Sequence, residues 1–357
     1  MFSFLKNKRF APLLGLDISA TSAKLVELSM RNDGRLVLER CALVRLENPF
    51  SIEPVAHKFD QMAHAIRRLM AKSRTKTKTV AMALPPSSVI TKIIHLPKAK
   101  SNLAFEVQVE QEATRYIPFP LNEVNLDYQV IGPNLLDPEL LDVHLAVSRR
   151  EKVQDIQDLA DATGLELEIL DVSSYASRAA MKRLIDDQYG PASVALVALV
   201  ELGTHTTSVR VMRNDEVLHD RDLPLGGEQL TQIISEHYHW SMEAAETRKR
   251  SAALPADYAV QVRAPFVEKL AEEIHLALRF FIANSTYTGI DAFMLAGGCA
   301  SLVGLQTALE KITLTPCFLA NPFQGMLMSE RVRLSCIKLH PPAFLTACGL
   351  ALRRFPW

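Results

Sequence analysis

No two of the five cysteines form a C-x-x-C pair; Cys41, Cys299, Cys317, Cys336 and Cys348 are scattered along the 357 residues. That scatter excludes zinc-ligand spacing and the disulfide framework of a small secreted domain, and it fits a reducing cytosol. No apolar run approaches the roughly 20 residues needed to cross a bilayer. Excess charge is lacking too. Lys plus Arg and Asp plus Glu both number 40, so net charge points to neither nucleic acid nor an acidic substrate. A basic run, Arg67, Arg68, Lys72, Arg74, Lys76 and Lys78, is interleaved with threonines and holds no aromatic residue to stack on a base. It is expected to be a solvated linker before a strand. The stretch Met1 to Phe10 is too short and too interrupted by charge for a signal peptide, and reads as a loosely ordered terminus. What is present is apolar content of 48%, ample for packed cores, in a chain long enough for about two domains.

Leu13 to Leu28 reads as a strand, a polar turn from Asp17 to Ser22, and a second strand that alternates from Lys24. Such a turn is often only structural. It also has the chemistry to hold a phosphate tail: hydroxyls and turn amides donate, a lysine supplies charge, and an aspartate can hold Mg²⁺ through water. Arg35 to Val44 is expected to be a third strand, Pro54 to Ala71 a helix, and Thr79 to Leu84 a strand. Strand and helix patterns from 89 to 170 run β-α-β-β-α-β, the ferredoxin-like split unit, and suggest an insert. Within it Ser101 caps a helix with Phe105, Val109, Ala113 and Tyr116 on one stripe, broken by Pro118 and Pro120. Gly164 stops a second helix.

Val194 to Val211 repeats the opening logic: a buried strand, the acid Glu201, a turn of Gly203, Thr204, His205, Thr206 and Thr207, then an alternating strand. Two such hairpins facing each other can pinch a nucleotide's phosphates between two domains. Gly226-Gly227 opens a helix, and glycines there leave amides suited to anions. Glu246 and Lys249 share a helix face. A strand runs into Gly297-Gly298, where backbone can approach a flat ligand closely. His237 and His239 fall on different helix faces, which argues against a metal site there.

In this order the motifs from Asp17 to Lys24, Glu201 to Ser208, Gly226-Gly227, Glu246-x-x-Lys249, Gly297-Gly298 and the helix of Gly349 resemble the ATP site of the actin, Hsp70 and sugar-kinase superfamily. Glu110-x-Glu112-Ala113-x-x-Tyr116-Ile117-Pro118-Phe119-Pro120-Leu121 narrows the likeness, as do Gly226 to Thr231, Phe280-Phe281, Leu295 to Leu302, Asn321-Pro322-Phe323 and Ala347 to Arg353. These stretches resemble the PilM-type type IV pilus assembly proteins. The resemblance implies an α/β, two-domain actin-like ATPase fold of the FtsA-like kind, with an inserted ferredoxin-like subdomain in the first domain. The expected limits are 11–190 for the first domain with its insert at about 89–170, and 191–345 for the second. The nucleotide-binding helical part would span about 226–288, and 346–357 would form a C-terminal helix.

The same resemblance implies ATP and Mg²⁺ as cofactors. Asp17, Ser19, Thr21, Ser22, Lys24, Glu201, Gly203, Thr204, Thr206 and Thr207 would lie at the phosphates, with Mg²⁺ held through water by Asp17 and Glu201. Gly226, Gly227, Gln229, Glu246, Lys249, Gly297, Gly298 and Ser301 would surround ribose and adenine. Ser19 stands where the family pattern has glycine, and Glu201 where it has aspartate, so binding is expected rather than turnover. The implied partner is the N-terminal peptide of a PilN-like bitopic inner-membrane protein, with other pilus platform components and assembly ATPases beside it. That makes the chain cytoplasmic and peripheral to the inner membrane. Val89, Ile90, Thr91, Tyr116, Phe119 and Pro120 are the candidate peptide groove, though Tyr116, Phe119 and Pro120 could equally pack a helix end. Two rival readings are a small-molecule kinase, with Asp171 as base or merely as a helix cap, and an FtsA-like filament former. The short stretch Arg353 to Trp357 leaves no room for the membrane helix of the latter.

Overall fold

The computed structural model describes residues 10–46, 55–99, 101–190, 193–214, 216–332 and 340–356. The expectations for Met1 to Arg9, Pro54, Pro191, Cys336 and Trp357 lie outside the described residues.

Two sheets share one plan. In the first, β1 (Leu14–Ser19), β2 (Ser22–Met30) and β3 (Leu36–Arg45) form an antiparallel meander. Beyond β1 lie β4 (Thr79–Leu84) and, after a long excursion of the chain, β8 (Glu166–Val172), both parallel to it in sense. In the second, β9 (Leu196–Leu202), β10 (Thr207–Arg213) and β11 (Glu216–Leu223) repeat the meander, and β12 (Ala292–Ala296) and β13 (Cys317–Leu319) add the parallel pair. The echo between the two hairpins is therefore a structural duplication. β9 reads Leu-Val-Ala-Leu-Val-Glu-Leu because layers cover both of its faces; a strand buried on both sides loses the alternation of a half-exposed one.

Helices α1 (Val55–Ser73) and α3 (Arg150–Ala162) cover the outer face of the first sheet. On the second, α5 (Gly227–Tyr238), α6 (Met242–Ser251), α7 (Ala264–Ala283) and α8 (Leu305–Thr313) do the same. Between the sheets lie α4 (Ser173–Tyr189) and α9 (Leu345–Leu352), and one apolar core there joins Val26 and Leu28 to Met181, Leu199, Phe323, Phe344 and Cys348. Two glycines allow this layer to close. A Cβ on Gly15 of β1 would stand 2.0 Å from the Ala347 carbonyl, and one on Gly349 would stand 1.7 Å from the Ala176 carbonyl.

The insert is smaller than the sequence pattern suggests. β5 (Val89–Pro97), α2 (Asn102–Ala113), β6 (Val124–Pro133) and β7 (Leu140–Arg149) make a three-stranded antiparallel sheet in the order β5-β7-β6, with α2 on one face. The expected closing α-β pair is present in sequence order but belongs to the main sheet. Leu159 and Ala160 of α3 enter the core of Ile66 and Val80, and β8 pairs with β4. The insert thus ends at Arg149, not near residue 170. Periodicity reveals a strand; it does not reveal which sheet edge the strand joins. The second-domain limit is crossed in the same way: β14 (Leu327–Met328) pairs in parallel with β3 of the first sheet. Ser101 caps α2 as expected, accepting from the Ala104 amide at 3.2 Å. Phe105, Val109 and Ala113 are buried, but Tyr116 follows the helix end and is exposed.

Candidate functional site

The two meander turns meet between the domains. The first is tighter than the polar run implies: only Ala20 and Thr21 turn, while Asp17, Ser19 and Ser22 sit in the strands. Thr21 Oγ1 lies 3.4 Å from Thr204 Oγ1 at the tip of the second turn. Among the described residues the amides of Ala20, Thr21, Thr204 and His205 have no hydrogen-bond acceptor. Two tips with free amides and facing hydroxyls form a donor-lined slot, the arrangement that accepts phosphate oxygens.

Charge around the slot is already paired. Lys24 is buried; its Nζ donates to Asp17 Oδ2 at 2.9 Å and Ser19 Oγ at 2.7 Å. Ser19, in place of a glycine, thus anchors the lysine. Glu201 accepts from Ser177 Oγ at 3.0 Å and is bonded to Nη1 of buried Arg210, whose Nε donates to Asp220 at 2.9 Å. Burial pushes the Glu201 carboxyl above its ordinary value, beyond what Arg210 and Ser177 offset, and Asp17 facing it adds to the rise. A divalent cation needs carboxylates with charge to spare. Here each carboxylate already holds a cationic side chain, Lys24 on Asp17 and Arg210 on Glu201. The residues therefore do not fit a Mg²⁺ held by Asp17 and Glu201, and no step is derived through one.

Other expected phosphate residues divide. Thr206 is exposed at the tip, and its carbonyl accepts the Gly203 amide at 2.9 Å. Thr207 is buried in β10 and donates to the Leu225 carbonyl, away from the slot. Gly226-Gly227 does not present free amides. The Gly226 N–H donates to Gln229 Oε1 at 2.6 Å, Gly227 to the Gly203 carbonyl at 3.0 Å and Glu228 to the Thr204 carbonyl at 2.8 Å. The α5 N-terminus instead clamps the second turn, and Gly226 is needed because a Cβ there would meet the Thr204 carbonyl at 2.5 Å. His205 is held by Glu228, Nδ1 to Oε2 at 2.7 Å.

Glu246 binds Thr231 Oγ1 at 2.5 Å, Lys249 Nζ at 2.6 Å and Arg250 Nε at 2.5 Å. Burial raises its carboxyl, but Lys249, Thr231 and Arg250 outweigh burial and hold it below its usual value. Lys249 also donates to the Gly227 carbonyl at 2.8 Å. These two expected ribose contacts hold α6 on α5, while Gln229 caps α5, accepting from the Gly226 amide and donating to the Pro224 carbonyl. Gly297 is tied by its N–H to the Pro342 carbonyl, and its φ of +93° suits only glycine. Of the expected site glycines only Gly298 has open space where a Cβ would stand, a shelf for a flat ring, and Ser301 is exposed beyond it.

Two cations escaped the sequence reading. Arg210 is the lone charge in the apolar run Val209 to Met212, an inward cation that a strand pattern could have flagged. Arg45 pairs in register with Ser22 at the mouth of the slot. Its guanidinium is pushed below its ordinary value first by burial and then by Arg250 facing it across the cleft. Asp171 is in β8, not at a helix cap. It accepts from Arg353 Nε at 2.6 Å and from the Val172 amide, so both its carboxylate oxygens are engaged.

The six groove residues do not converge. Ile90, Tyr116 and Phe119 lie on the α2 side of the insert, with the Tyr116 ring beside Lys92 at 5.3 Å and the Phe119 ring beside Arg149 at 4.0 Å. Pro120 is exposed beside them. Val89 and Thr91 lie on the opposite face, with Ile93 and His144. There Tyr175 of α4 reaches across, its hydroxyl 2.9 Å from His144 Nε2. That face, the edge strand β5 and α4 come together on this side of the insert.

The protein shares the actin-like ATPase fold. A solved PilM–PilN type IV pilus biogenesis complex is 28% identical, with a TM-score of 0.78 over 97% of this chain and 100% of that one. The ethanolamine utilization protein EutJ from Carboxydothermus hydrogenoformans shares the fold at 17% identity and a TM-score of 0.57, over 96% of this chain and 89% of that one. The model of the family described as type IV pilus assembly protein PilM matches residues 15–355, and the chain belongs to that family.

Proposed function

We propose that this chain is a nucleotide-responsive peptide receptor of the type IV pilus inner-membrane platform. It works on the cytoplasmic side, peripheral to the membrane through its partner. The slot between Thr21 and Thr204 takes the phosphates of ATP, with the turn amides as donors and Lys24 and Arg45 supplying positive potential. The adenosine lies on the Gly298 shelf. With Glu201 held by Arg210 and Asp17 by Lys24, neither of these two carboxylates is free to position an attacking water, so the site binds and does not turn over. The groove beside β5 takes the N-terminal peptide of a PilN-like protein; a strand edge offers main-chain donors and acceptors, and the sheet face offers side-chain pockets.

One observation carries the reading. On α4, Tyr175 bonds His144 in the groove while Ser177, two residues on, bonds Glu201 in the cleft. One rigid helix touches both sites, so closing the cleft on a nucleotide moves a wall of the groove. Linkage makes the effect reciprocal. Calorimetric titration of the full chain with the partner's N-terminal peptide, with and without ATP, tests it. The expected result is binding whose affinity differs between the two conditions; absence of peptide binding in both overturns the proposal.

A further inference from the structure

One exposed face of the second domain serves neither the cleft nor the peptide groove. Phe280-Phe281 is among the stretches that carry the family resemblance, and its two rings differ: Phe281 is buried in the core under α7, while Phe280 is 58% exposed. Leu276, one turn earlier, is 55% exposed, and Arg279 is exposed beside it. Arg221 of the edge strand β11 stands across from them, its guanidinium 5.9 Å from the Phe280 ring centre. With Ile282 and Ala283 they line an open groove of about 590 Å³. Neither Arg221 nor Arg279 has a carboxylate partner among the described residues. The acids next to Arg221 in sequence point to the other face of β11, where Asp220 bonds Arg210 and Asp222 bonds Ser208. Glu272 and Glu273 lie a turn before Leu276, so the cationic patch is confined to the last two turns of α7.

The lining is hydrocarbon and guanidinium alone, with donors on two side chains and no side-chain acceptor. A protein interface carries about one hydrogen bond per 100–200 Å² and a polar rim, which such a lining serves poorly. A bilayer surface matches it better. Guanidinium groups bind headgroup phosphates through paired N–H donors, and aromatic and aliphatic side chains lie just beneath, at the headgroup–acyl boundary. We propose that the α7–β11 patch rests on an anionic phospholipid surface, with Arg221 and Arg279 on the phosphates and Phe280 and Leu276 at the edge of the acyl chains. Among the described residues no helix is long and apolar enough to cross a membrane, so the contact is interfacial. Two cations and two partly exposed apolar side chains hold a bilayer weakly, since stable anchoring takes a second signal. The patch therefore orients the second domain against the membrane rather than recruiting the chain alone. Its electrostatic part is screened by salt. This lipid contact is independent of the nucleotide and peptide readings.

Flotation of the full chain with phosphatidylcholine vesicles carrying from none to about 40% phosphatidylglycerol, at low salt, tests it. The expected wild-type result is bound protein that rises with phosphatidylglycerol content and falls on adding salt. Arg221→Glu with Arg279→Glu lowers the partition coefficient at least about tenfold. Phe280→Ser lowers it about threefold or more, through lost apolar contact. Lys76→Glu with Lys78→Glu makes the same change of net charge on exposed residues of the basic run, and leaves partition within about twofold of wild type. All five substitutions change exposed side chains, and unaltered urea midpoints show that the variants fold. Wild-type protein that ignores vesicles of every composition overturns the proposal. So does binding that is lost in the Lys76–Lys78 variant and kept in the Arg221–Arg279 variant, or binding indifferent to Phe280→Ser. Retention on immobilised polyglutamate through Arg221 and Arg279, with no binding to vesicles, would assign the groove to an acidic protein segment and overturn the lipid reading.

Discussion

Replacing Arg210 by methionine probes the feature that sets this cleft apart. The Arg210 side chain is 6% exposed and that of Glu201 19%. Without the guanidinium, Glu201 keeps only the Ser177 hydroxyl as a donor. Breaking one side of a buried ion pair costs about 3–5 kcal/mol, because the remaining charge is uncompensated. That is a large share of the ~5–15 kcal/mol by which proteins are stable. The loss of the Asp220 contact adds little, since that side chain is half exposed. The Glu201 carboxyl already sits above its ordinary value through burial, and loss of the cation raises it further. Its folded value then lies above its unfolded one, so the folded state binds the extra proton. Stability conferred by that proton is present in acid and is lost as pH rises through the folded value. The deficit of the variant should therefore be smaller near pH 5 than near pH 8, by about 1.4 kcal/mol for each unit of upward shift. Urea denaturation followed by circular dichroism at both pH values measures it. Glu201→Gln combined with Arg210→Met should recover stability to within about 2 kcal/mol of wild type, because neither member is then charged. An equal loss at both pH values, or a double variant as weak as the single one, would refute the buried-pair reasoning.

Gly349→Ala should cost about 3 kcal/mol or more, since its Cβ would stand 1.7 Å from the Ala176 carbonyl. Gly298→Ala should leave the urea midpoint nearly unchanged, within about 0.5 kcal/mol, and weaken ATP binding by covering the shelf. Lys24→Ala should lower ATP affinity about tenfold, about 1.4 kcal/mol; unchanged affinity in calorimetry would show that the first hairpin is not a phosphate clamp. Burial first and Arg178 second hold the His144 imidazole below its ordinary value, and its Nε2 lies 2.9 Å from the Tyr175 hydroxyl. The stability it lends is present above the unfolded value and lost as pH falls through the folded one. Peptide affinity should fall over the same acidic window, and Tyr175→Phe should flatten that pH dependence.

Local chemistry made much of this protein legible. The duplicated hairpins, the capped α2, the Pro118–Pro120 break and the Gly297-Gly298 turn all follow from short-range rules, and each stands where its residues require. Partner choice between distant segments was not legible. Nothing in Glu166 to Val172 says that it pairs with β4 rather than closing the insert, and nothing in Leu327-Met328 says that it crosses to β3. In the cleft, Asp17, Lys24 and Glu201 were recognisable as residue types in a pattern. Their mutual pairing was not, because Arg210 reaches Glu201 only once β10 is laid beside β9. That the six candidate peptide-binding residues divide between two faces was not legible for a related reason: Thr91 and Tyr116 are near each other in the fold but on opposite faces of one sheet. Alternation along β5 shows that two faces exist, and only the fold shows which of them packs α2 and which meets α4.

The central claim is that α4 links cleft and groove. The direct measurement is the affinity of the PilN-like N-terminal peptide for the full chain, with ATP and without, set against the affinity of ATP with the peptide and without. The account predicts that each ligand changes the other's affinity by one common factor, about fivefold or more, and that Ser177→Ala shrinks that factor while both ligands still bind. Two ligands that bind with affinities indifferent to each other would contradict it.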